Sequence, residues 1–353
     1  LGETEEFWPD YQGFEINKGG WSKGGPTGKK GDTTGGYFTP YGNPRLPDGP
    51  PGEYITDRLA EECIRYIENI GAEPFMMVYS LYAVHNPMQA PTELVKKYER
   101  KRLSLPNQGE NVFVKDEPWM KFENGWRRRA VQDLPVYAAM VENMDTNIGH
   151  IVAKLKEKGL YENTLIIFTS DNGGLSTAEG SPTVNGPLRA GKGWLYEGGI
   201  RVPFIMHWNG KIAANTTREV PVTVADIFPT VAKVMDNNYQ TDPTLDGKNI
   251  FEWMAKPAKF NNRTLYWHYP HYSNQGGKPG AAIREGKWKL IYNYEDASVE
   301  LYDLVTDVGE RTDLSTQHKK RTDRLNKKLM HWLKDRNAKA PVRNMEYREE
   351  KKP

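Results

Sequence analysis

At 353 residues, with 37% hydrophobic and 27% charged side chains, the chain is long enough to bury a large core and too apolar to be disordered. A net charge of +2 gives no bulk electrostatic case for nucleic acid or a membrane surface as partner, and no apolar run approaches the roughly 18 residues of a spanning helix. The single cysteine, Cys63, excludes an internal disulfide and leaves no metal-type cysteine spacing.

The first residue is Leu1, not Met, and no signal-type segment opens the chain, so the sequence reads as processed or truncated. Residues 1–53 are rich in Gly and Pro without helical or alternating period and read as long loops, with Trp8, Tyr11, Phe14, Trp21, Tyr37, Phe38 and Tyr41 favouring order. A helix is predicted over 56–70, with Leu59, Cys63, Ile67 and Ile70 on one face and Gly71 at its end, which makes Cys63 a packing thiol. The apolar run PFMMVYSLY (74–82) is a predicted strand. After a polar, basic insertion at about 99–130, residues 133–158 form a long helix with Val141, Met144, Ile148, Ile151 and Leu155 in one stripe, Pro135 in its first turn and Gly159 at its end.

A strand over 164–170 comes next, and helix, glycine stop, strand is the unit of a doubly wound α/β fold, here a mixed, mostly parallel sheet flanked by helices. The loop LRAGKGWLYEGGIRVP leads to a further strand, VPFIMHW, and TVADIFPTVAKVMD reads as a helix with Thr223 and Asp226 in a capping box. Beyond about 258 the texture changes. RTLYWHY, GAAIREGKWKLIYNY and VELYDL predict a small antiparallel sheet, with a helix near 317–335 packed on it through Leu325, Leu329, Trp332 and Leu333. The chain ends in a charged, fraying tail, REEKKP. The expected division is 1–258 for the main domain and 259–353 for a C-terminal subdomain.

Four groups of residues invite a chemical reading. The run TLIIFTSDNGG ends on Asp171 and Asn172, which puts an acid and an amide at the carboxyl end of a buried strand, where open α/β sheets bind ligands. Their oxygens are hard donors suited to Ca²⁺ or Mg²⁺; an Asn-Gly turn with an Asx hydrogen bond accounts for the same letters without a metal. His85 follows the strand over 74–82, a place for a general acid or for a merely hydrogen-bonded histidine. Lys192 lies among small residues in RAGKGWLYEGG, where its ammonium can approach an anion, and Arg189 and Glu197 on either side suggest a structural ion pair. The cluster WHYPHYSNQGG sets His268, His271 and Asn274 among aromatic faces, which suits sugar rings and equally suits a hinge between domains.

Four segments in order, YSLYAVHNPMQAP, YAAMVENMDTNIGHIVAKLKEKGLYENTLIIFTSDNGG, GKGWLYEGGIRVPFIMHW and ELYDLVTDVGERTDL, resemble the type I sulfatases. These are the formylglycine-dependent members of the alkaline phosphatase superfamily, among them arylsulfatases and N-acetylgalactosamine-6-sulfatases. The resemblance implies an alkaline phosphatase-like fold, Ca²⁺ as cofactor with Asp171 and Asn172 as two of its ligands, and sulfate contacts from His85 and Lys192. His85 would protonate the leaving oxygen, and Arg189, His268, His271 and Asn274 are the candidate substrate contacts. On the family pattern, Leu1-Gly2 is the end of a GKWHLG motif, and the other metal aspartates and the C-x-P-S-R segment that yields formylglycine lie upstream. Cys63 is followed by Ile-Arg-Tyr-Ile and cannot be that cysteine. The implied activity is hydrolysis of sulfate esters on a sulfated polysaccharide or glycosaminoglycan fragment, in the periplasm or outside the cell. The expectation for this chain alone is poor solubility and no useful turnover. The alternatives are a phosphate or phosphonate monoester hydrolase of the same superfamily and a non-catalytic module that binds sulfated sugar.

Overall fold

Two interleaved units divide the chain: Leu1–Glu110 with Asp133–Thr164 and Trp208–Gly210, and Asn111–Gln132 with Leu165–His207 and Lys211–Pro353. The computed structural model describes residues 2–26, 35–71, 73–106, 112–114, 127–255, 263–342 and 344–346. Leu1, the tail over 347–353 and most of the basic insertion (107–111 and 115–126) lie outside the described residues.

The first unit is built on three helices, α1 (Ile55–Asn69), α2 (Thr92–Leu103) and α3 (Pro135–Glu157), with α1 and α2 both packed on α3. Its core joins Ile55 and Leu59 of α1 and Ala139 and Met140 of α3 to Tyr37, Tyr41, Leu46 and Tyr54. The aromatic loops are tied to this core across long sequence distances: Tyr37 Oη donates to the carbonyls of Tyr82 and His85 (2.9 and 2.8 Å), and Tyr54 Oη to that of Gln89 (2.8 Å). Cys63 is partly buried, and burial pushes its thiol up to about 11.

Three expectations are corrected here. The most buried face of α3 is not the apolar stripe: Val141 is exposed, while Asn143 and Asn147 are buried and both donate to Asp57 Oδ1 of α1 at 2.7 Å. Sharing one carboxylate satisfies both amides and lets a polar stretch of α3 be buried against α1. Residues 92–103, half assigned to the insertion, are helix α2, with Leu94, Val95 and Tyr98 packed on the core. Residues 74–82 alternate between exposed (Met76, Val78, Ser80) and partly buried (Phe75, Met77, Tyr79) as a strand does, but form no ladder among the described residues. A strand needs a neighbour, and the first unit holds no other strand among the described residues.

In the second unit, β1 (Phe113–Val114) pairs with β2 (Arg128–Arg129), and β3 (Ile166–Thr169) with β4 (Phe204–His207), with the short helix α4 (Glu197–Ile200) between them in sequence. The β3–β4 pair is antiparallel, and among the described residues the predicted mixed sheet contributes no parallel pair. The capping box of Thr223 and Asp226 closes a 3-10 turn (Val224–Asp226) that runs into α5 (Ile227–Met235), followed by α6 (Phe251–Ala255). Asp226 is fully buried and held by both terminal nitrogens of Arg263 at 2.6 Å.

The C-terminal sheet is a four-stranded antiparallel meander, β5 (Thr264–Tyr269), β6 (Gly280–Glu285), β7 (Trp288–Asn293) and β8 (Val299–Asp303), covered by α7 (Lys319–Asp335), as the sequence predicts. Strand alternation sends Ile283, Leu290 and Leu301 to one face, against Leu325, Leu329 and Leu333 of α7. Each leucine so buried is worth about 1.5–3 kcal/mol. Ala282, Ile291 and Tyr302 go to the other face, against Ala190, Trp194 and Tyr196. The sheet is thus buried on both sides, by a helix on one and by the Lys192 loop on the other.

Candidate active site

Asp171 and Asn172 follow β3 after Ser170, at its carboxyl end, where the chain bends. A Cβ on Gly173 would collide with the carbonyl of Gly198, so only glycine lets the strand tip lie on α4, where Gly173 N–H donates to Gly199 O (2.9 Å). The loop bearing Lys192 is fastened to the same turn: Lys192 N–H donates to Gly174 O (3.1 Å), and Asn185 Nδ2 donates to Gly174 O (2.8 Å) and Ala190 O (2.9 Å). A third segment closes on these two. A Cβ on Gly193 would strike Ser273 Oγ, and the Gln275 carbonyl accepts from Trp194 Nε1 (2.9 Å) and Thr177 Oγ1 (2.8 Å). The structure thus brings together Asp171, Asn172, Lys192 and the loop carrying His271 and Asn274. Glu179, Ser181 and Ala190, all non-glycine residues with positive φ (51°, 44° and 57°), lie in these loops, a strain characteristic of functional sites.

The turn at Asp171 holds a bond from the Asn172 N–H to Asp171 Oδ1 (2.9 Å), between adjacent residues rather than the Asx bond to the second residue on that the sequence suggests. Asn172 Nδ2 donates to Gly173 O (3.0 Å). Asp171 Oδ2 and Asn172 Oδ1 then accept no hydrogen bond among the described residues, and Asp171 is exposed. The turn therefore also presents two uncommitted hard oxygens.

Lys192 is held through the C-terminal sheet. Glu197, fully buried, pairs with Lys289 Nζ (3.0 Å), which also meets Glu310 Oε1 at 2.8 Å, and Glu310 Oε2 accepts the Glu197 N–H (2.6 Å). Burial raises the Glu310 carboxyl above the usual range, and Lys289 opposes this. The ion pair expected near Lys192 exists, but Glu197 finds Lys289 rather than Arg189. Arg189 lies over the Tyr196 ring (3.7 Å) and donates to Tyr302 Oη (3.1 Å) and Glu310 O (2.8 Å), committed to the sheet.

The remaining candidates are more dispersed. His85 belongs to the other unit; it is exposed, and its Nδ1 lies 2.9 Å from the carbonyl of Asn86, which can only accept, so Nδ1 carries the proton. His268 lies within β5 opposite Ala281, edge-on to Tyr294, with Nε2 buried and unpartnered among the described residues. Burial, and secondarily His271, lowers its pKa, so the ring is neutral at neutral pH. His271 is exposed against Tyr269, and Asn274 is exposed with Nδ2 on Glu179 Oε1 (3.1 Å). Sequence reasoning missed Asn185, Glu179, Gln275 and Lys289. The Asn-Gly-Pro turn at Asn185 is the one local signal among them.

Residues 8–237 match the sulfatase family model. The chain belongs to the sulfatase family. Residues 190–339 of this sulfatase chain also match the model described as N-sulphoglucosamine sulphohydrolase, C-terminal. It is 32% identical to a sulfatase of Formosa agariphila over 84% of its own length and 53% of the relative's, and 26% identical to the steryl-sulfatase of Mus musculus over 76% and 42%. The chain thus spans about half the length of the curated relatives it matches. Among solved structures, Ps i-CgsB in complex with k-i-k-neocarrahexaose aligns with 94% of this chain and 69% of its own, at TM-score 0.68 and 26% identity. A sulfatase from Bacteroides fragilis aligns at TM-score 0.64 and 20% identity over 84% and 62%. The fold is accordingly that of the alkaline phosphatase-like sulfatases. Membership implies a metal ion, and the turn fits one as far as it goes, with the two uncommitted oxygens of Asp171 and Asn172 as hard donors. No group of three His, Cys, Asp or Glu suited to a metal occurs among the described residues, and no described helix is long and apolar enough to cross a membrane.

Proposed function

We propose that this chain is part of an enzyme that hydrolyses sulfate esters on a sulfated polysaccharide or glycosaminoglycan fragment, with Ca²⁺ as the ion at Asp171 and Asn172. The observation that carries the reading is the bond from Lys192 N–H to Gly174 O (3.1 Å), which fastens a cationic residue to the turn bearing two hard oxygen donors. When bound, the ion would supply positive charge to the sulfate oxygens. Lys192 adds a second positive charge to the same anion, from a backbone already held by Gly174 and needing no rearrangement during reaction. His85, with Nδ1–H committed to Asn86 O, would in its imidazolium form hold the transferable proton on Nε2 and deliver it to the departing sugar oxygen, the role given by the family resemblance. His271 and Asn274 offer polar edges to sugar hydroxyls; His268, neutral and buried, acts as an acceptor at Nε2. Arg189 serves substrate binding by anchoring the Lys192 loop.

The attacking group implied by the resemblance is a formylglycine in a C-x-P-S-R segment, and these 353 residues contain no such segment. The neocarrahexaose complex of a relative supports a carbohydrate substrate, and periplasmic or secreted location follows from a polymeric one. We retain 1–258 as catalytic domain and 259–353 as C-terminal subdomain. The test is sulfate and phosphate release by the full-length protein from sulfated polysaccharides, aryl sulfates and phosphomonoesters. Sulfate release that is stopped by chelation and reduced about 10²–10³-fold in kcat by Lys192→Ala supports the reading. Phosphate release alone makes the protein a phosphomonoesterase; binding of sulfated sugar without release makes it a binding module.

A further inference from the structure

The inner side of α7 is explained by its leucines, but its outer side has a pattern of its own. The helix carries seven Lys and Arg against two Asp, a surplus of five positive charges in a chain whose net charge is +2. The rest of the chain is therefore net negative. At about 100° per residue, Lys320, Arg324, Lys327, His331 and Lys334 fall in one arc opposite the leucines, and all five are exposed. The row is about 21 Å long, and its three lysines recur about every 10.5 Å.

Like charges at this spacing repel, and surface helices usually relieve this with acids between them. Here Arg324 pairs with Glu285 (2.5 Å) and His331 faces Asp335 (3.2 Å), but Lys320, Lys327 and Lys334 meet no acidic partner among the described residues. At its amino end the row runs into an open depression of about 620 Å³ lined by Gln317, His318, Lys319, Lys320, Arg321 and Arg324. There Arg321 lies over the Trp288 ring (4.3 Å), His318 meets that ring edge-on (5.1 Å), and Arg321 Nε is buried with no hydrogen-bond partner among the described residues. Evenly spaced cations leading to an aromatic and guanidinium platform are what a flexible chain of sugar rings with regularly placed anions would engage.

We propose that the outer face of α7 is a second, non-catalytic binding surface for a linear polyanion, and that this polyanion is a sulfated polysaccharide. The choice of polymer rests on the sulfatase reading above; the cationic row does not. A duplex nucleic acid is the less suited occupant, because its width would bring it over the net-negative remainder of the chain.

The test is salt elution of the full-length protein from immobilised heparin, with Lys320, Lys327 and Lys334 changed together to Glu and an unchanged melting temperature as the folding check. The expected result is elution at lower salt and about tenfold weaker binding of free heparin oligosaccharide, with unchanged turnover of a small aryl sulfate and no binding of neutral dextran. An unshifted elution overturns the proposal, as does tighter binding of duplex DNA than of heparin through the same lysines. If the variant loses heparin while the wild type releases no sulfate from any ester, the surface stands and the sulfatase reading falls. If a small ester is cleaved and the elution does not move, the sulfatase reading stands and the surface falls.

Discussion

Replacing Lys289 by Met asks whether the buried charges under the Lys192 loop act as one unit. Lys289 is fully buried on β7, 3.0 Å from Glu197 and 2.8 Å from Glu310, whose side chains are 1% and 0% exposed. Methionine keeps the aliphatic stem, so the change removes the ammonium and little else. Two carboxylates then face each other away from water, and breaking a buried pair in this way costs about 3–5 kcal/mol. Arg284 and Arg201, 3.7 and 3.8 Å from Glu197 Oε2, supply part of the missing charge, which places the expected loss near the lower end, about 3 kcal/mol at pH 8. The loss should shrink toward pH 5. Glu310, already raised by burial, takes up a proton first and relieves the repulsion. In the unmutated protein the sign is the same: a raised carboxyl favours the folded state below its unfolded value of about 4.5, and that contribution is lost as the pH rises through the folded one. Urea unfolding at both pH values reads the effect. A loss below about 1 kcal/mol at pH 8, or one equal at the two pH values, would refute the argument.

Three further outcomes follow from the geometry. Arg324, and then Lys328, pull Glu285 down to about 2, so Glu285→Gln should cost about 1 kcal/mol at neutral pH, discounted for the exposure of both cations, and nothing once the pH has fallen from 4.5 toward 2; a melting series in pH checks it. Asp57→Ala strands the amides of Asn143 and Asn147 between α1 and α3 and should cost about 2 kcal/mol in denaturant unfolding; wild-type stability would show that water replaces the carboxylate. Gly198→Ala drives a methyl into the carbonyls of Arg189 and Ala190 and should destabilise by about 3 kcal/mol, whereas Gly210→Ala, in open space but at φ 67°, should cost about 1 kcal/mol; equal melting points for the two would contradict the close approach at α4.

Helices α1, α3 and α7 and the four C-terminal strands were legible because each is announced by local periodicity and bounded by Gly, Pro or Asn. The Asp171-Asn172 turn was legible for the same reason, as an apolar run that stops on polar residues and two glycines. What was not legible depends on residues far apart in the chain. The segment 74–82 has a strand's letters, but pairing is a property of a neighbour, not of the run itself. Asn143 and Asn147 look like a polar face until Asp57, 86 and 90 residues away, is set against them. Thr177 meets Gln275 across 98 residues and Arg189 meets Glu310 across 121, so nothing local marks the loops as one site. Lys289 sits in WKLIYN, where alternation allows either face, and its burial against two acids follows only once the Lys192 loop is known to cover that face.

The double covering of the C-terminal sheet bears on how the protein can be cut. Every residue of the Asp171-Asn172 turn and the Lys192 loop precedes 258, so a truncation there preserves all of their letters. It removes Lys289, Tyr302, Gln275 and the carbonyl of Glu310, which are what hold Glu197, Arg189 and Trp194 in place. The sheet is the mould against which the Lys192 loop is cast. Chimaeras that exchange substrate loops among relatives should therefore carry residues 187–200 and 264–310 together as one cassette.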